Sequence, residues 1–319
     1  MEQTLKLQNG LEMPVLGYGC SFGNWTDTSK WMGFEPEAAW SAIPAALRAG
    51  VRHFDAALFY DSQRVLGHCL GQAFQKGELR RSDVWITTKV GHPYASHGSN
   101  ALGKSLDWTN PDIDIKQEVR KQIELCLDEL MLGYVDLLLM HWPGKWETKD
   151  EALNRRLRKE VWEVFEEYYK LGKVRAVGVC NCQIRHLETL LQDVEVKPML
   201  NQIEVSPYIT QEELVKYCQD KEIRVEAWSP FGSGTTNVLK DDLLKEIGEK
   251  HGKNSGQVVL RWLYQRGVCS LAKSSKEERM RGNLDIFDFE LSEEEMSKIS
   301  GLNKDQSSVG DGMPGDSIA

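Results

Sequence analysis

The chain of 319 residues is 41% hydrophobic and 27% charged, a balance that fits a globular protein with a large core and argues against disorder or a membrane span. Thirty-nine basic against 48 acidic residues give a net charge of −9, with no prominent Lys/Arg run, so neither nucleic acid nor anionic membrane is an expected partner. Seven cysteines, odd in number and without a CxxC pair, lie behind an N-terminal stretch, Met1–Gly10, that has no apolar signal segment. Free thiols in a reducing, cytoplasmic compartment are the expectation.

The first predicted element is a hairpin over Thr4–Val15, turning at Asn9-Gly10 in type I′ geometry. Eight short apolar runs then alternate with helical stretches: Val15–Gly19, Arg52–Ala56, Val84–Lys89, Val135–His141, Val174–Cys180, Met199–Ile203, Arg224–Trp228 and Val268–Lys273. Within Ile115–Leu132, Val119, Ile123, Leu127 and Leu130 recur at helical spacing and put an apolar stripe on one side. Val161–Leu171, Glu212–Cys218 and Val258–Tyr264 read the same way. Pro36 suits a first helical turn, and Pro44 is expected to kink or restart its helix. No Ser/Gly/Pro-rich linker divides the chain, so the alternation predicts a closed (β/α)8, or TIM, barrel over residues 1–319 as one domain. Residues 1–14 form a hairpin cap and residues 303–319 a tail. A polar insertion at 91–111 and the Gly/Asp/Ser-rich tail are candidate active-site loops or mobile segments.

Chemistry in such a barrel sits at the C-terminal ends of the strands. Asp55 ends the second run and Tyr60 follows it; Lys89 ends the third and His141 the fourth. Asn181 follows the fifth, Gln202 lies near the end of the sixth, Ser229 follows the seventh, and Lys273-Ser274 close the eighth. Taken singly, such an Asp is most often a cap, a Tyr or His packing, a Lys solvated. Together on successive strand ends they supply a proton donor, a cation to tune it, an anion to hold the cation, and a second hydrogen-bonding group. An ammonium beside Tyr60 would favour its phenolate, and Asp55 would keep a buried Lys89 charged. No nucleophile with an adjacent base is evident, so covalent acyl chemistry is not the natural reading.

These residues, in this order, resemble the aldo-keto reductase superfamily. The blocks that carry the likeness are Gly50-Val-Arg-His-Phe-Asp55 with Tyr60, Trp85-Ile-Thr-Thr-Lys89, Tyr134 to Pro143, Gly172 to Gly178, Asn201-Gln-Ile-Glu204, Ala227-Trp-Ser-Pro-Phe-Gly232, Lys273-Ser274 with Arg279 and Asn283, and Phe287 to Glu294. The resemblance implies a barrel that reduces aldehydes or ketones with a nicotinamide dinucleotide. In it Tyr60 is the proton donor, Lys89 and Asp55 tune it, and His141 orients the carbonyl. It further implies that Asn181 and Gln202 hold the nicotinamide carboxamide, that Trp228 stacks on the ring, and that Ser229, Phe231 and Ser233 line the pyrophosphate. Lys273, Ser274 and Arg279 match the group that grips a 2′-phosphate, whence an expected preference for NADPH. Asn283 matches an adenine contact, although Gly282 stands where an acidic neighbour is usual. By family habit the chain is expected to be a monomer.

The sequence departs from the pattern in its loops. Cys20-Ser21-Phe22 stand where many members carry Thr-Trp, and an expanded loop over 20–34 adds Trp25 and Trp31. Phe22, Trp25, Trp31, Trp108 and Trp142 are candidate walls of the substrate pocket. A long first lid would carry His92, Tyr94 and His97, read as solvated and not as metal ligands. The loop 232–241 is short, which predicts faster cofactor exchange than in members with a long clasp. Gly17-Tyr-Gly19 with Gly23 lacks the G-x-G-x-x-G spacing of a Rossmann fingerprint and reads as a tight strand-to-loop turn. Two other classes of barrel compete with this reading. An NADP(H)-binding regulatory or sensor subunit, resembling the potassium-channel β subunits that share the fold, can retain the same residues; turnover of an aldehyde separates the two. A metal-dependent barrel hydrolase would need a His-x-His on the first strand, and the sequence has none there.

Overall fold

The computed structural model describes residues 3–23, 34–91, 112–145, 150–309 and 318. Strands β1 (Thr4–Lys6) and β2 (Glu12–Pro14) pair antiparallel with Leu5 opposite Met13. The hairpin forms where expected, but its turn differs. Leu7 N donates to Leu11 O at 2.8 Å and Gly10 N to Leu7 O at 2.9 Å. Gly10 alone has positive φ, at 86°. This is a three-residue loop with glycine in the left-handed position, which needs one such residue where a type I′ turn needs two.

The eight predicted runs form β3 (Leu16–Gly19), β4 (His53–Asp55), β5 (Trp85–Val90), β6 (Leu137–Met140), β7 (Val177–Cys180), β8 (Leu200–Glu204), β9 (Arg224–Trp228) and β10 (Val268–Leu271). All pair in parallel, and β10 returns to β3 through Ser270 opposite Leu16, which closes the barrel. Because strand side chains alternate, His53 and Asp55 share one face of β4, and Thr87 and Lys89 share one face of β5. Gln202 and Glu226 stand directly opposite each other on β8 and β9. Gly17 and Gly19 lie within β3 and not in a turn. A Cβ on Gly17 would come within 2.8 Å of the His53 ring and 2.7 Å of Leu271, so this glycine is a packing residue of the barrel interior.

The outer ring begins with α1 (Pro36–Ala49), α2 (Gln63–Gln75), α3 (Ile115–Leu130), α4 (Glu151–Lys170), α5 (Ile184–Asp193) and α6 (Glu212–Asp220). Pro36 opens α1 as expected; the helix runs on through Pro44 and does not restart there. Val119, Ile123, Leu127 and Leu130 are buried along α3, whose Asp114 cap accepts from Gln117 N at 3.0 Å. Helix α4 starts well before the predicted Val161, because Asp150 caps it by accepting from Leu153 N at 2.9 Å. Between β9 and β10 lie two helices, α7 (Asp242–His251) and α8 (Ser255–Gln265), where the repeat calls for one. Helices α9 (Glu277–Leu284) and α10 (Glu293–Ser300) follow β10.

Residues beyond α10 return across the rim. Lys304 N and Gln306 N donate to Tyr208 O, while Ser307 Oγ and Ser308 N each reach the buried Glu204 carboxylate at 2.7 Å. All seven cysteines are buried free thiols, as expected from their count and spacing. Among the described residues no helix is long and apolar enough to cross a membrane.

Candidate active site

Lysine 89 is the centre of the rim. It is buried on β5, and its ammonium donates to Asp55 Oδ2 at 2.6 Å, to Ala56 O at 3.1 Å and to Tyr60 Oη at 3.4 Å. An ammonium has three donors, and here each has an acceptor. Burial by itself would pull Lys89 down, yet the Asp55 carboxylate and the Tyr60 oxygen hold it above the ordinary lysine value. Asp55 is buried with it, so the two charges compensate each other in a dry interior.

A 3-10 turn, Leu58–Tyr60, carries the chain from β4 and brings the phenol over the ammonium, with Nζ 4.8 Å from the ring centroid. Burial pushes the Tyr60 phenol up to about 12, against the downward pull of Lys89. His141 packs its ring edge-on to Tyr60, centroids 5.6 Å apart, and lies nearly parallel to Trp142 at 6.1 Å. The four residues predicted at three successive strand ends thus meet at one point.

The next group lies along β7, β8 and β9. Asn181 has φ 59° directly after β7. Its Nδ2 donates to His141 O at 3.1 Å, and its Oδ1 accepts from Trp228 Nε1 at 3.1 Å. Gln202 Nε2 donates to Asp55 Oδ1 at 2.9 Å. Ser229, Gly232, Ser233 and Gly234 all have positive φ, and the Ser229 and Ser233 hydroxyls hydrogen-bond to each other. The consecutive positive φ values at Gly232, Ser233 and Gly234 make a left-handed turn after β9. Phe231 is partly buried and packs against the core.

At the end of β10, Lys273, Lys276 and Arg279 form no ion pair with an acidic side chain among the described residues, in contrast with Arg48 and Arg281, which both engage Glu277. Ser274 Oγ accepts from Lys276 N at 3.1 Å. Arg279 and Asn283 are one turn apart on α9. A hydroxyl and unpaired cations are the donor set that a phosphate dianion requires.

Of the predicted pocket walls, Trp142 stands beside His141, and Trp25, Trp31 and Trp108 lie outside the described residues, as do His92, Tyr94 and His97. Phe22 is buried; its ring tilts against Tyr18, and Lys273 Nζ sits 5.0 Å above it. The ring therefore supports the cation at the end of β10. Sequence reasoning did not single out His53 and Glu226, both wholly buried in the barrel. The available signal was a carboxylate in the middle of the apolar run Arg224–Trp228.

A closed barrel gathers Asp55, Lys89, Tyr60 and His141 at the C-terminal ends of its strands, where barrel enzymes carry their chemistry, with a left-handed turn and an unpaired cation group on neighbouring strand ends. The aldo/keto reductase family model matches residues 20–304, and the chain belongs to that family. It is 39% identical over 309 residues to glyoxal reductase of Bacillus subtilis, covering 96% of this chain and 95% of the relative. It is 37% identical to D-galacturonate reductase of Fragaria ananassa, covering 91% and 86%. Among solved structures, an aldo-keto reductase complexed with NADPH superposes with a TM-score of 0.81 at 33% identity, covering 97% of this chain and 90% of that one. A Bombyx mori aldo-keto reductase in complex with NADP gives 0.80 at 28% identity, covering 98% and 96%.

Proposed function

We propose that the chain is an NADPH-dependent carbonyl reductase that converts an aldehyde or ketone to an alcohol, with residues 1–319 acting as one catalytic unit. The observation that carries the reading is the three-way grip of Lys89 on Asp55, Ala56 and Tyr60. Tyr60 donates the proton to the carbonyl oxygen. The ammonium at 3.4 Å stabilises the phenolate left behind, and Asp55 keeps that ammonium charged where burial would discharge it. His141, held between Tyr60 and Trp142, orients the oxygen that receives the proton.

The donor set fits a dinucleotide phosphate. Asn181 and Gln202 would hold a carboxamide, Trp228 would stack on the ring, Ser229, Phe231 and Ser233 would line the pyrophosphate along the left-handed turn, and Lys273, Ser274 and Arg279 would supply charge and a hydroxyl for a 2′-phosphate, with Asn283 near the adenine. When bound, the cofactor supplies the hydride. Solved relatives carrying NADPH or NADP support this choice, and the buried free thiols fit the cytoplasm.

The test is initial-rate measurement over aldehydes, ketones, keto acids and aldoses with NADPH and NADH in parallel. Turnover with NADPH is expected, and Tyr60→Phe should retain cofactor binding, read by quenching of tryptophan fluorescence, while losing turnover by about 10²–10⁴-fold. Cofactor binding without turnover of any carbonyl would favour a sensor subunit instead.

A further inference from the structure

The barrel interior holds a second carboxyl that the proton-donor site does not use. Glu226 on β9 is wholly buried, and its Oε2 accepts from Gln202 Nε2 at 2.7 Å. The same nitrogen donates to Asp55 Oδ1 at 2.9 Å, so one amide spans two carboxyls. The other oxygen, Oε1, makes no hydrogen bond among the described residues and lies 3.7 Å from His53 Nε2. His53 Nδ1 is 3.3 Å from Pro14 O and Nε2 is 3.2 Å from Thr87 Oγ1. A neutral ring that donates through Nδ1 leaves Nε2 as an acceptor facing Glu226.

Charge balance decides the state of this acid. Lys89 is one cation, already committed to Asp55. An ionised Glu226 would leave an uncompensated negative charge in the dry core, which is far costlier than a neutral acid. The groups around it are His53 and Asp55 from β4, Lys89 and Thr87 from β5, Cys180 from β7, Gln202 from β8 and Cys269 from β10. His53 is pushed down to about 4 by burial and brings no charge near neutrality. Burial and the nearby Asp55 push Glu226 up to about 8.

We propose that Glu226 is a positioning residue of the reductase site: held as a neutral acid, it fixes the Gln202 amide with its NH2 toward the two carboxyls and its carbonyl oxygen toward Cys180. Asp55 and Lys89 then form a charge-neutral pair. Ionisation of Glu226 adds a negative charge behind Asp55, opposes the phenolate at Tyr60 and slows proton donation. The Gln202 carbonyl oxygen accepts from Cys180 Sγ at 3.7 Å and has a second lone pair for a carboxamide N–H, so Glu226 acts on cofactor affinity through Gln202 and on proton donation through Asp55. The kinetic part rests on the reductase reading; the protonation state does not.

Two substitutions separate charge from hydrogen bonding. Glu226→Gln keeps an acceptor for Gln202 and a donor toward His53 but cannot ionise; Glu226→Leu fills the space and removes the acceptor. Infrared spectra of the wild-type protein at pH 7 should contain the carbonyl stretch of a protonated carboxylic acid that Glu226→Gln lacks, and the band should fade as the pH rises through about 8. In kcat/KM the alkaline limb should move up by about one pH unit or more in Glu226→Gln. Glu226→Leu should weaken NADPH binding about tenfold, the loss of one hydrogen bond's orientation, and the Gln variant should restore it. Identical infrared bands in wild type and Glu226→Gln, or an unmoved alkaline limb, would overturn the proposal. If no carbonyl is turned over while the band is present and titrates, the reductase reading falls and the buried acid stands. Should the Leu variant not fold, the band and the Gln profile still decide.

Discussion

Lysine 89 is the most informative residue to remove, because it serves stability and chemistry through different partners. Two unit charges separated by the 3.4 Å between Nζ and Tyr60 Oη interact by about 5 kcal/mol at an effective dielectric constant of about 20. That energy corresponds to more than three orders of magnitude in the ionisation of the phenol. Because the proton is only partly transferred in the transition state, Lys89→Met should lower kcat by about 10²–10³-fold, within the range of a positioned general acid. The same substitution leaves Asp55 buried without its cation and should cost about 3–5 kcal/mol of folding stability. Lys89→Met combined with Asp55→Asn removes the stranded charge and keeps an acceptor for Gln202. Urea unfolding should then recover most of the lost stability while turnover stays down. Recovery of turnover to within tenfold of wild type in the double variant would refute the reasoning, since the ammonium would then be needed only to compensate Asp55.

Other parts of the structure yield equally direct expectations. Replacing Lys273 and Arg279 together by Met should raise the Kd for NADPH by about a hundredfold or more, given about 1.5–3 kcal/mol for each hydrogen bond to a charged group, and should change NADH affinity far less; equal losses for both cofactors would remove the 2′-phosphate assignment. At Gly178 on β7 a Cβ would stand 2.6 Å from Leu200 O and 2.7 Å from Leu139 Cδ2. Gly178→Ala should therefore destabilise the barrel by about 1–3 kcal/mol in urea titration, and an unchanged midpoint would show that the β7–β8 contact can yield.

Much of the barrel is legible in the order of residues. Eight apolar runs with polar residues at their ends specify a closed barrel, because parallel strands covered on both faces must be apolar until they reach the rim. Thus Asp55, Lys89 and His141 were legible as strand-end residues, and Tyr60 from its position after the second run. Local rules also placed the N-terminus of α1 at Pro36 and the stripe of α3. Where local rules were incomplete, the failures have local causes: Asn9 does not take positive φ, Pro44 sits in a continuing helix, and Asp150 starts α4 early.

Which inward side chains share space depends on how the barrel closes. Glu226 is far from Asp55 and His53 in sequence, and nothing in the spacing of the three indicates that Gln202 bridges two of them while the third faces the remaining oxygen. Likewise, nothing in the spacing of Phe22 and Lys273 indicates that closure of β10 onto β3 brings the ammonium over that ring. The physical reason is that periodicity fixes the direction in which a side chain points, but barrel closure fixes what it meets there. In a dry interior that meeting decides whether a carboxyl carries a charge or a proton.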